Sequence, residues 1–204
     1  MSKVAMPLVH KALKKAVKAH KKQEREGEFP LPYVTHPVEV VSLLRYEGGV
    51  WDEEVLAAAI LHDVIEECAL SEKNLKKAFG ERVADLVHQL TRHEPDRGDM
   101  DEEAFQRARF EALLAGVDAM GLEAKMVKLA DRISNLRAAL CTRSGEDLAK
   151  YVDMSRQIRD HIPRETSPVL WDRLNSLAEQ AGIVQPKEGK PPRRKVVPVP
   201  STTP

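Results

Sequence analysis

Aromatic residues are scarce in this chain, and surplus charge of either sign is absent. Phe, Trp and Tyr make up 4% of the 204 residues, and 32 Lys and Arg balance 32 Asp and Glu. Tight binding to DNA or RNA draws on surplus Lys and Arg, so this balance argues against a nucleic-acid partner. Any phosphate chemistry should instead involve a small molecule that is held in a locally basic pocket.

Cysteine and long apolar runs are also in short supply. The two cysteines, Cys68 and Cys141, are isolated in the sequence, which leaves no disulfide framework and no zinc-type ligand spacing. The N-terminal residues lack the apolar stretch of a signal peptide, and no later segment is apolar enough to span a bilayer. We therefore expect a cytoplasmic protein without a membrane partner. The sequence leaves the oligomeric state open.

The pattern that is present is helical, with plentiful Ala and Leu, a 3.6-residue period and almost no strict alternation. Asp52 and Ser71 are predicted N-caps, Gly80 is a predicted helix stop, and Pro37 suits a first helical position. These signals predict an all-α protein. The predicted helices cover residues 4–25, a segment from 35 onwards, a segment from 52 to 67, and residues 71–80, 81–91, 101–117, 122–141, 146–162 and 167–181.

The composition changes near residue 184. Residues 1–183 are long enough to form one domain with a sizeable core. Residues 184–204 are rich in proline, contain the basic sequence "PPRRK" and have little to bury, so we expect a disordered tail. The basic cluster could dock on an acidic partner, but an inert tail is the favoured interpretation.

The segment "LHDVIEE" places four ionisable residues in an apolar run. A helix turns by about 100° per residue, so His62 and Asp63 can reach one site from the edge of one face. Glu66 and Glu67 follow within one turn. A lone buried His is more often an ordinary core residue, but three carboxylates so close would repel one another and would be costly to desolvate. A divalent cation would offset both costs, so metal ligation explains the cluster better than packing does.

Two further places could complete such a site. His36 lies at the start of the second predicted helix, and Asp131 lies inside another apolar helix with Asn135 one turn later. Asp131 could instead form a salt bridge with Lys128 or Arg132, and for this segment taken alone that alternative is plausible. A site of two His and two Asp suits Mn²⁺, with Fe or Zn possible and Mg²⁺ less favoured by imidazole.

These residues, in this order, resemble the HD phosphohydrolase superfamily. The wider sequence resembles the hydrolase domain of the RelA/SpoT family, especially its stand-alone members, the small alarmone hydrolases. The resemblance covers roughly residues 5 to 182 and implies an all-α HD-domain helical bundle. It also implies an Mn²⁺-dependent enzyme that removes the 3′-pyrophosphate of guanosine alarmones to give GDP or GTP and pyrophosphate. The motifs that carry the resemblance are "AHKKQER…PYVTHPVEVV", "AAILHDVIEE", "FGERVADLVHQLT" and "KLADRISNLR".

The resemblance also implies roles for single residues. Glu66 and Glu67 would position and activate the attacking water, while Asn135 would contact the nucleotide. Arg25 would pack on the base, and Tyr151 would line the nucleotide pocket. The implied metal ligands are His36, His62, Asp63 and Asp131.

Three nearby cations could neutralise the charges of the substrate, namely Lys128, Arg137 and Lys150. The competing interpretation for each of them is an ordinary solvated helix face.

Three departures from the family pattern bear on this assignment. Glu67 stands where the family usually has Asp, which moves the carboxylate by on the order of 1 Å, and such displacements can be costly in catalysis. The segment between Arg25 and His36 is about two residues longer than usual, and Ala138 replaces a common Thr. The metal ligands are untouched by all three, so we expect hydrolysis to be retained while the identity of the base is less secure.

Other functions stay open at this stage. The chain could hydrolyse the adenosine analogue ppApp, or it could be an HD phosphatase of another phosphorylated nucleotide or cofactor such as NADPH. A catalytically decayed module that binds alarmone is a third alternative. The residues after about 185 could not fold into a synthetase domain, so we expect a chain that degrades alarmones without making them.

Overall fold

The computed structural model describes residues 7–28, 30–68 and 70–183, and helices account for the regular structure in these ranges. Their only β-type pairing is an isolated bridge between Glu24 and Pro32. None of the described helices has both the length and the apolar composition that crossing a membrane requires. The all-α prediction is confirmed, whereas the predicted tail 184–204 lies outside the described residues.

The described helices follow one another with short connections. A π-helical turn, Leu43–Glu47, extends the second helix, and a 3₁₀ turn, Arg164–Thr166, precedes the last one. The α-helices are α1 (Pro7–Ala19), α2 (Thr35–Ser42), α3 (Glu53–Leu61), α4 (Glu72–Phe79), α5 (Glu81–Leu90), α6 (Glu102–Ala119), α7 (Leu122–Thr142), α8 (Gly145–Asp160) and α9 (Pro168–Ile183).

Three helix boundaries lie where the capping signals predict them. The Asp52 carboxylate accepts hydrogen bonds from the backbone N–H groups of Glu54 and Val55, at 2.9 and 3.3 Å. The Ser71 hydroxyl caps α4 in the same way. Gly80 adopts a φ of 92°, a region that costs glycine little, and separates α4 from α5. The proline position is predicted wrongly: because α2 begins at Thr35, Pro37 is its third residue, where the N–H still lacks a helical partner.

The first helix ends earlier than predicted. The predicted helix over residues 4–25 stops at Ala19, and the chain turns back in a hairpin between Gln23 and Tyr33. Tyr33 N–H donates to the Gln23 carbonyl at 2.9 Å, and Arg25 N–H donates to the Leu31 carbonyl at 2.8 Å. These cross-hairpin bonds use backbone groups that a longer helix would need. Arg25 therefore lies on a hairpin rather than on α1.

The core is built around α3. Its residues Val55 to Leu61 are all buried, and the helix packs against α1, α2, α5 and α7. The long helix α7 also packs against α2, α8 and α9. As a result the start of α2, the end of α3 and the middle of α7 meet inside the bundle.

Candidate active site

The ionisable segment that follows Leu61 is not helical, which corrects the prediction of one continuous helix through residue 67. Residues 62–68 form a series of turns. His62 Nδ1 lies 2.8 Å from the Ala59 carbonyl oxygen, which is the acceptor that Asp63 N–H would use if the helix continued. Leaving the helix allows neighbouring side chains to converge on one site, which a rotation of about 100° per residue would hinder.

Four side chains from α2, α7 and this turn segment lie close together. His36 Nε2 lies 3.2 Å from His62 Nε2 and 3.3 Å from Asp131 Oδ1. Asp63 Oδ1 lies 3.2 Å from His62 Nε2, and Asp63 Oδ2 lies 3.6 Å from His36 Nε2. Donor atoms of His36, His62 and Asp131 all lie within 4.8 Å of one another, and these three residues are buried. The structure therefore brings together the residues that the sequence proposes as metal ligands.

The donor set fits a divalent metal ion. His62 Nδ1 can only donate to the Ala59 carbonyl, so in the neutral ring Nε2 carries a lone pair. That lone pair points at His36 Nε2 and at carboxylate oxygens. Such an arrangement of acceptors is repulsive unless a cation or a proton lies between them. Mixed imidazole and carboxylate donors are a set that Mn²⁺, Fe²⁺ and Zn²⁺ accept.

The protonation of the site shows the same competition for a positive charge. Burial disfavours the charged form of His62, yet the carboxylates of Asp63 and Asp131 raise its pKa to about 9. Burial would also raise the pKa of Asp131, but Lys128 and the two histidines hold that pKa well below its usual range. In the absence of metal, a proton on His62 therefore takes the place of the cation.

Metal binding should depend on pH for this reason. The raised pKa of His62 stabilises the metal-free fold below the ordinary imidazole pKa of about 6.5. That contribution is lost as the pH rises through about 9. Below that pH a metal ion must displace the proton, so we expect the affinity for a divalent metal ion to rise by about tenfold per pH unit between about pH 7 and 9. Equilibrium dialysis across this range measures how metal affinity changes with pH. A pH-independent affinity would contradict the assignment of His62 as a metal ligand.

Tyr33 is a site residue that the sequence analysis missed. Its hydroxyl donates to Asp63 Oδ2 at 2.6 Å, and its ring stacks on His20, with the centroids 4.7 Å apart. Burial and the neighbouring Asp63 carboxylate raise the pKa of Tyr33, so the phenol stays a donor. Tyr33 thus fixes one oxygen of Asp63 while the other oxygen faces His62. The available signal was its position three residues before His36.

The two glutamates of the turn segment have different surroundings. Glu66 Oε1 accepts a hydrogen bond from the backbone N–H of Arg92 at 2.5 Å, and burial raises the pKa of Glu66 despite that bond. Among the described residues Glu67 lacks such a bond to its carboxylate, and burial together with the charge of Glu67 raises the pKa of the nearby Cys68 thiol. A carboxylate with a raised pKa is suited to proton transfer near neutral pH. The two carboxylates that the sequence treats as a pair thus differ in their hydrogen-bond partners and in the pKa of Glu66.

A cavity of about 270 Å³ adjoins the histidine and aspartate cluster. Three residues predicted to contact substrate, Arg25, Asn135 and Tyr151, line it, as does Ala138. Asn135 joins the two regions, because its amide donates to Asp131 Oδ1 at 2.5 Å and its carbonyl oxygen accepts from Arg25 Nη1 at 3.0 Å. The structure therefore brings these three predicted substrate contacts to one cavity, with Asn135 next to a proposed metal ligand.

The three predicted cations are placed differently. Lys128 Nζ lies 3.2 Å from Asp131 Oδ2, whereas the histidines contact the other oxygen of Asp131, Oδ1. Arg137 pairs with Glu39 at 2.9 Å. Lys150 is exposed. The described residues that line the cavity include none of the three.

Two other arginines lie closer to the cavity, and the sequence analysis assigned them no role there. Arg143 lines it and lies over the Tyr151 ring, with its guanidinium carbon 4.6 Å from the centroid. Arg132 is buried, with its guanidinium carbon 4.7 Å from the centroid of the same ring, and it donates to Ser155 Oγ at 2.9 Å. Arg143 also pairs with Glu26 and Asp147 at 3.1 and 3.3 Å, so part of its charge is already balanced by carboxylates. In the sequence Arg132 stands out only as a possible salt-bridge partner of Asp131, and no motif singles out Arg143.

The fold and the His-Asp cluster together define an HD-type hydrolase bundle. The family model described as HD domain matches residues 12–158, which is most of the chain. The chain is 31% identical over 172 residues to the Homo sapiens guanosine-3′,5′-bis(diphosphate) 3′-pyrophosphohydrolase MESH1, spanning 82% of this chain and 91% of that protein. The Xenopus tropicalis protein of the same name is 29% identical over 180 residues, spanning 86% and 96% of the two chains. The chain belongs to this family of HD-domain pyrophosphohydrolases.

A solved structure supports the same relationship. It is described as a metazoan orthologue of SpoT that hydrolyses ppGpp and plays a role in starvation responses. The two chains are 28% identical and superpose with a TM-score of 0.76, covering 90% of this chain and all of the other. The predicted HD-domain bundle is therefore confirmed.

Proposed function

We propose that this protein is an Mn²⁺-dependent hydrolase that releases pyrophosphate from the 3′-position of guanosine alarmones such as ppGpp. The observation that carries the proposal is the contact between Asn135, which lines the cavity, and Asp131, which belongs to the buried donor cluster. A nucleotide in the cavity would place its phosphates beside that cluster. Relatives that match nearly full length are named for this reaction.

The donor cluster and its neighbours would share the work of hydrolysis. His36, His62, Asp63 and Asp131 would hold the metal, which when bound would act as a Lewis acid on the 3′-phosphoryl oxygen and lower the pKa of water. Glu66, whose side chain is partly buried and whose pKa burial raises, would accept the proton of the attacking water. Tyr33 would keep Asp63 oriented throughout, because its phenol stays protonated.

The nucleoside would occupy the cavity beyond Asn135. Arg25 and Tyr151 offer a guanidinium plane and an aromatic ring to a purine base. Arg143, stacked on Tyr151, and the buried Arg132 would supply part of the positive charge that the phosphates need. In this proposal Arg132 and Arg143 would share the charge-neutralising role that the sequence analysis suggested for Arg137 and Lys150.

Product analysis with a panel of substrates tests the proposal. The Mn²⁺-loaded protein should convert ppGpp into GDP and pyrophosphate, and the products can be identified by anion-exchange chromatography. Turnover of ppApp alone would shift the base preference to adenosine. Release of orthophosphate from NADPH without ppGpp turnover would favour an HD phosphatase, and tight ppGpp binding without turnover under any divalent metal would indicate a decayed site.

The cytoplasmic location expected from the sequence is part of the same proposal. Cys68 and Cys141 are both free thiols, which is usual in a reducing compartment.

Replacing Glu67 by Asp tests the departure from the family pattern. The backbone there is held on both sides, since Glu67 N–H donates to the Asp63 carbonyl and the Glu67 carbonyl accepts from Gln23, each at 2.8 Å. The substitution therefore changes mainly the reach of an exposed carboxylate, and we expect kcat/KM for ppGpp equal to or above that of the parent. A large loss in a steady-state assay would show that the site is built around the longer side chain.

A further inference from the structure

A chain of hydrogen bonds runs outward from His36 on the side opposite the donor cluster. His36 Nδ1 lies 2.9 Å from Ser134 Oγ, and the Ser134 hydroxyl donates to Glu39 Oε2 at 2.7 Å. The other oxygen of Glu39 accepts from Arg137 Nη1 at 2.9 Å. His36 and Ser134 are almost fully buried, whereas Glu39 and Arg137 are partly exposed. We refer to Ser134, Glu39 and Arg137 as the His36 relay.

The relay follows from the helical register of two packed helices. His36 and Glu39 are three residues apart in α2, so they lie on neighbouring positions of one face. Ser134 and Arg137 have the same spacing in α7, and Ser134 follows Asp131 by three residues. Because α2 packs against α7, the pair on α2 contacts the pair on α7. Asp131 then reaches the Nε2 side of His36 while Ser134 reaches its Nδ1 side.

The direction of the hydrogen bonds decides which tautomer His36 adopts. Glu39, paired with the Arg137 guanidinium, offers only acceptor oxygens, so the single hydroxyl hydrogen of Ser134 must point at Glu39. If that hydrogen pointed at His36 instead, two oxygens would face each other at 2.7 Å without a hydrogen between them. Ser134 can therefore only accept from His36, which places the ring hydrogen on Nδ1. The lone pair of the ring is left on Nε2, the nitrogen that faces the donor cluster.

We propose that Ser134 and Glu39 are positioning residues that hold His36 with its Nε2 lone pair directed at the metal, an inference that rests on the metal site of the proposed function. A histidine ligand gains from a partner on its second nitrogen, because that partner fixes both the tautomer and the ring orientation. For His62 the backbone carbonyl of Ala59 has this role. For His36 the side chains of Ser134 and Glu39 have this role, so mutation can remove it.

Ser134→Ala is the first test variant. It deletes the acceptor for Nδ1–H with little change in volume, and we expect it to weaken Mn²⁺ binding by about 10- to 100-fold. The measurement is the Kd for Mn²⁺ from equilibrium dialysis of the full chain. Ser134→Thr keeps a hydroxyl at this position and should bind Mn²⁺ more tightly than Ser134→Ala.

Glu39→Gln is the more diagnostic variant. The amide oxygen of the new side chain should turn toward the Arg137 guanidinium, which leaves the amide N–H₂ facing Ser134. Ser134 would then accept from the amide and donate to His36, and the ring hydrogen would move to Nε2. We expect the same 10- to 100-fold loss of Mn²⁺ affinity from this near-isosteric change.

Controls separate positioning from a general effect on folding or charge. Ser155→Ala removes another fully buried serine of the bundle, one that contacts Arg132 and not a proposed ligand, and it should leave the Kd for Mn²⁺ unchanged. Because Glu39 acts through Ser134, adding Glu39→Gln to Ser134→Ala should weaken binding by less than about twofold more. An additive loss in the double variant would mean that Glu39 acts only through its charge, and the relay would be refuted.

The outcomes distinguish this inference from the function on which it rests. If the parent binds Mn²⁺ and hydrolyses ppGpp while Ser134→Ala and Glu39→Gln bind Mn²⁺ as tightly as the parent, the relay is refuted and the proposed function stands. If the parent binds no divalent metal, both are refuted. Weaker binding in both single variants, with parental affinity in Ser155→Ala, supports the relay.

Discussion

Replacing His62 by Ala should abolish tight Mn²⁺ binding and lower kcat/KM for ppGpp by more than about 100-fold, which exceeds the usual cost of losing only a group that supports a ligand. His62 Nε2 lies within 3.7 Å of atoms from His36, Asp63 and Asp131. Without the His62 imidazole the site would keep only one nitrogen donor, from His36, beside the two carboxylates. Metal content by mass spectrometry and pyrophosphate release measure the two effects.

A loss of this size must be separated from a loss of folding. His62 is buried, so its truncation also leaves a small void and an unpaired Ala59 carbonyl. Asp131→Asn keeps the side-chain shape and should give the same loss of metal and activity. His10→Ala, on the exposed face of α1, is the matched control and should behave like the parent. Retained activity in a folded Asp131→Asn protein would contradict the assignment of this residue as a ligand.

Glu66→Gln should lower kcat by about 10²- to 10⁴-fold, the range over which a positioned proton acceptor contributes. Glutamine can still accept the hydrogen bond from Arg92 N–H, so the turn segment should keep its structure. The amide cannot take a proton from water, however. Mn²⁺ affinity should stay close to that of the parent, because Glu66 is not among the proposed ligands.

The comparison with a distant glutamate makes this result interpretable. Glu111→Gln, on an exposed position of α6, should leave both kcat and metal affinity unchanged. A Glu66→Gln protein with parental kcat would show that another group accepts the proton, and Glu67 would be the next candidate. A parallel loss of metal would instead place Glu66 among the ligands.

Local signals account for what the sequence predicts correctly about the fold. The caps at Asp52 and Ser71 and the glycine at position 80 act within one turn of the chain, so they can be read without tertiary information. The errors at Ala19 and Leu61 have another origin. In the first case backbone groups of residues 31 and 33, in the hairpin that follows α1, compete with the helix, and in the second an imidazole occupies a helix carbonyl. Gly27, Pro30 and Pro32 indicate a break after the first helix, but the exact residues whose backbone groups pair are not visible along the chain.

The candidate site also contains residues that the sequence points to and residues that only the fold brings in. Carboxylates in an apolar run are costly, so His62 and Asp63 draw attention in the sequence alone. Tyr33, Ser134 and Glu39 are ordinary residue types whose contacts arise only when α2, α7 and the turn segment pack together. The family resemblance supplies the order of the proposed ligands but not these partners.

The cations show why nearness in sequence misleads. Arg137 follows Asp131 by six residues, a rotation of about 240° that takes it to a different side of α7, where it pairs with Glu39. Asn135 follows Asp131 by four residues and stays on the same side. Arg143 lies beyond the end of α7, and the chain path after the helix brings it over Tyr151.

The central claim is that a metal held by the buried His-Asp cluster is required for cleavage of the 3′-pyrophosphate. The most direct test titrates Mn²⁺ into metal-free protein and follows bound metal and ppGpp turnover in the same samples. We predict that turnover rises in proportion to bound Mn²⁺ and that GDP and pyrophosphate appear in equal amounts. Protein that binds Mn²⁺ and leaves ppGpp intact, or metal-free protein that turns over ppGpp as fast as the loaded protein, would contradict the claim.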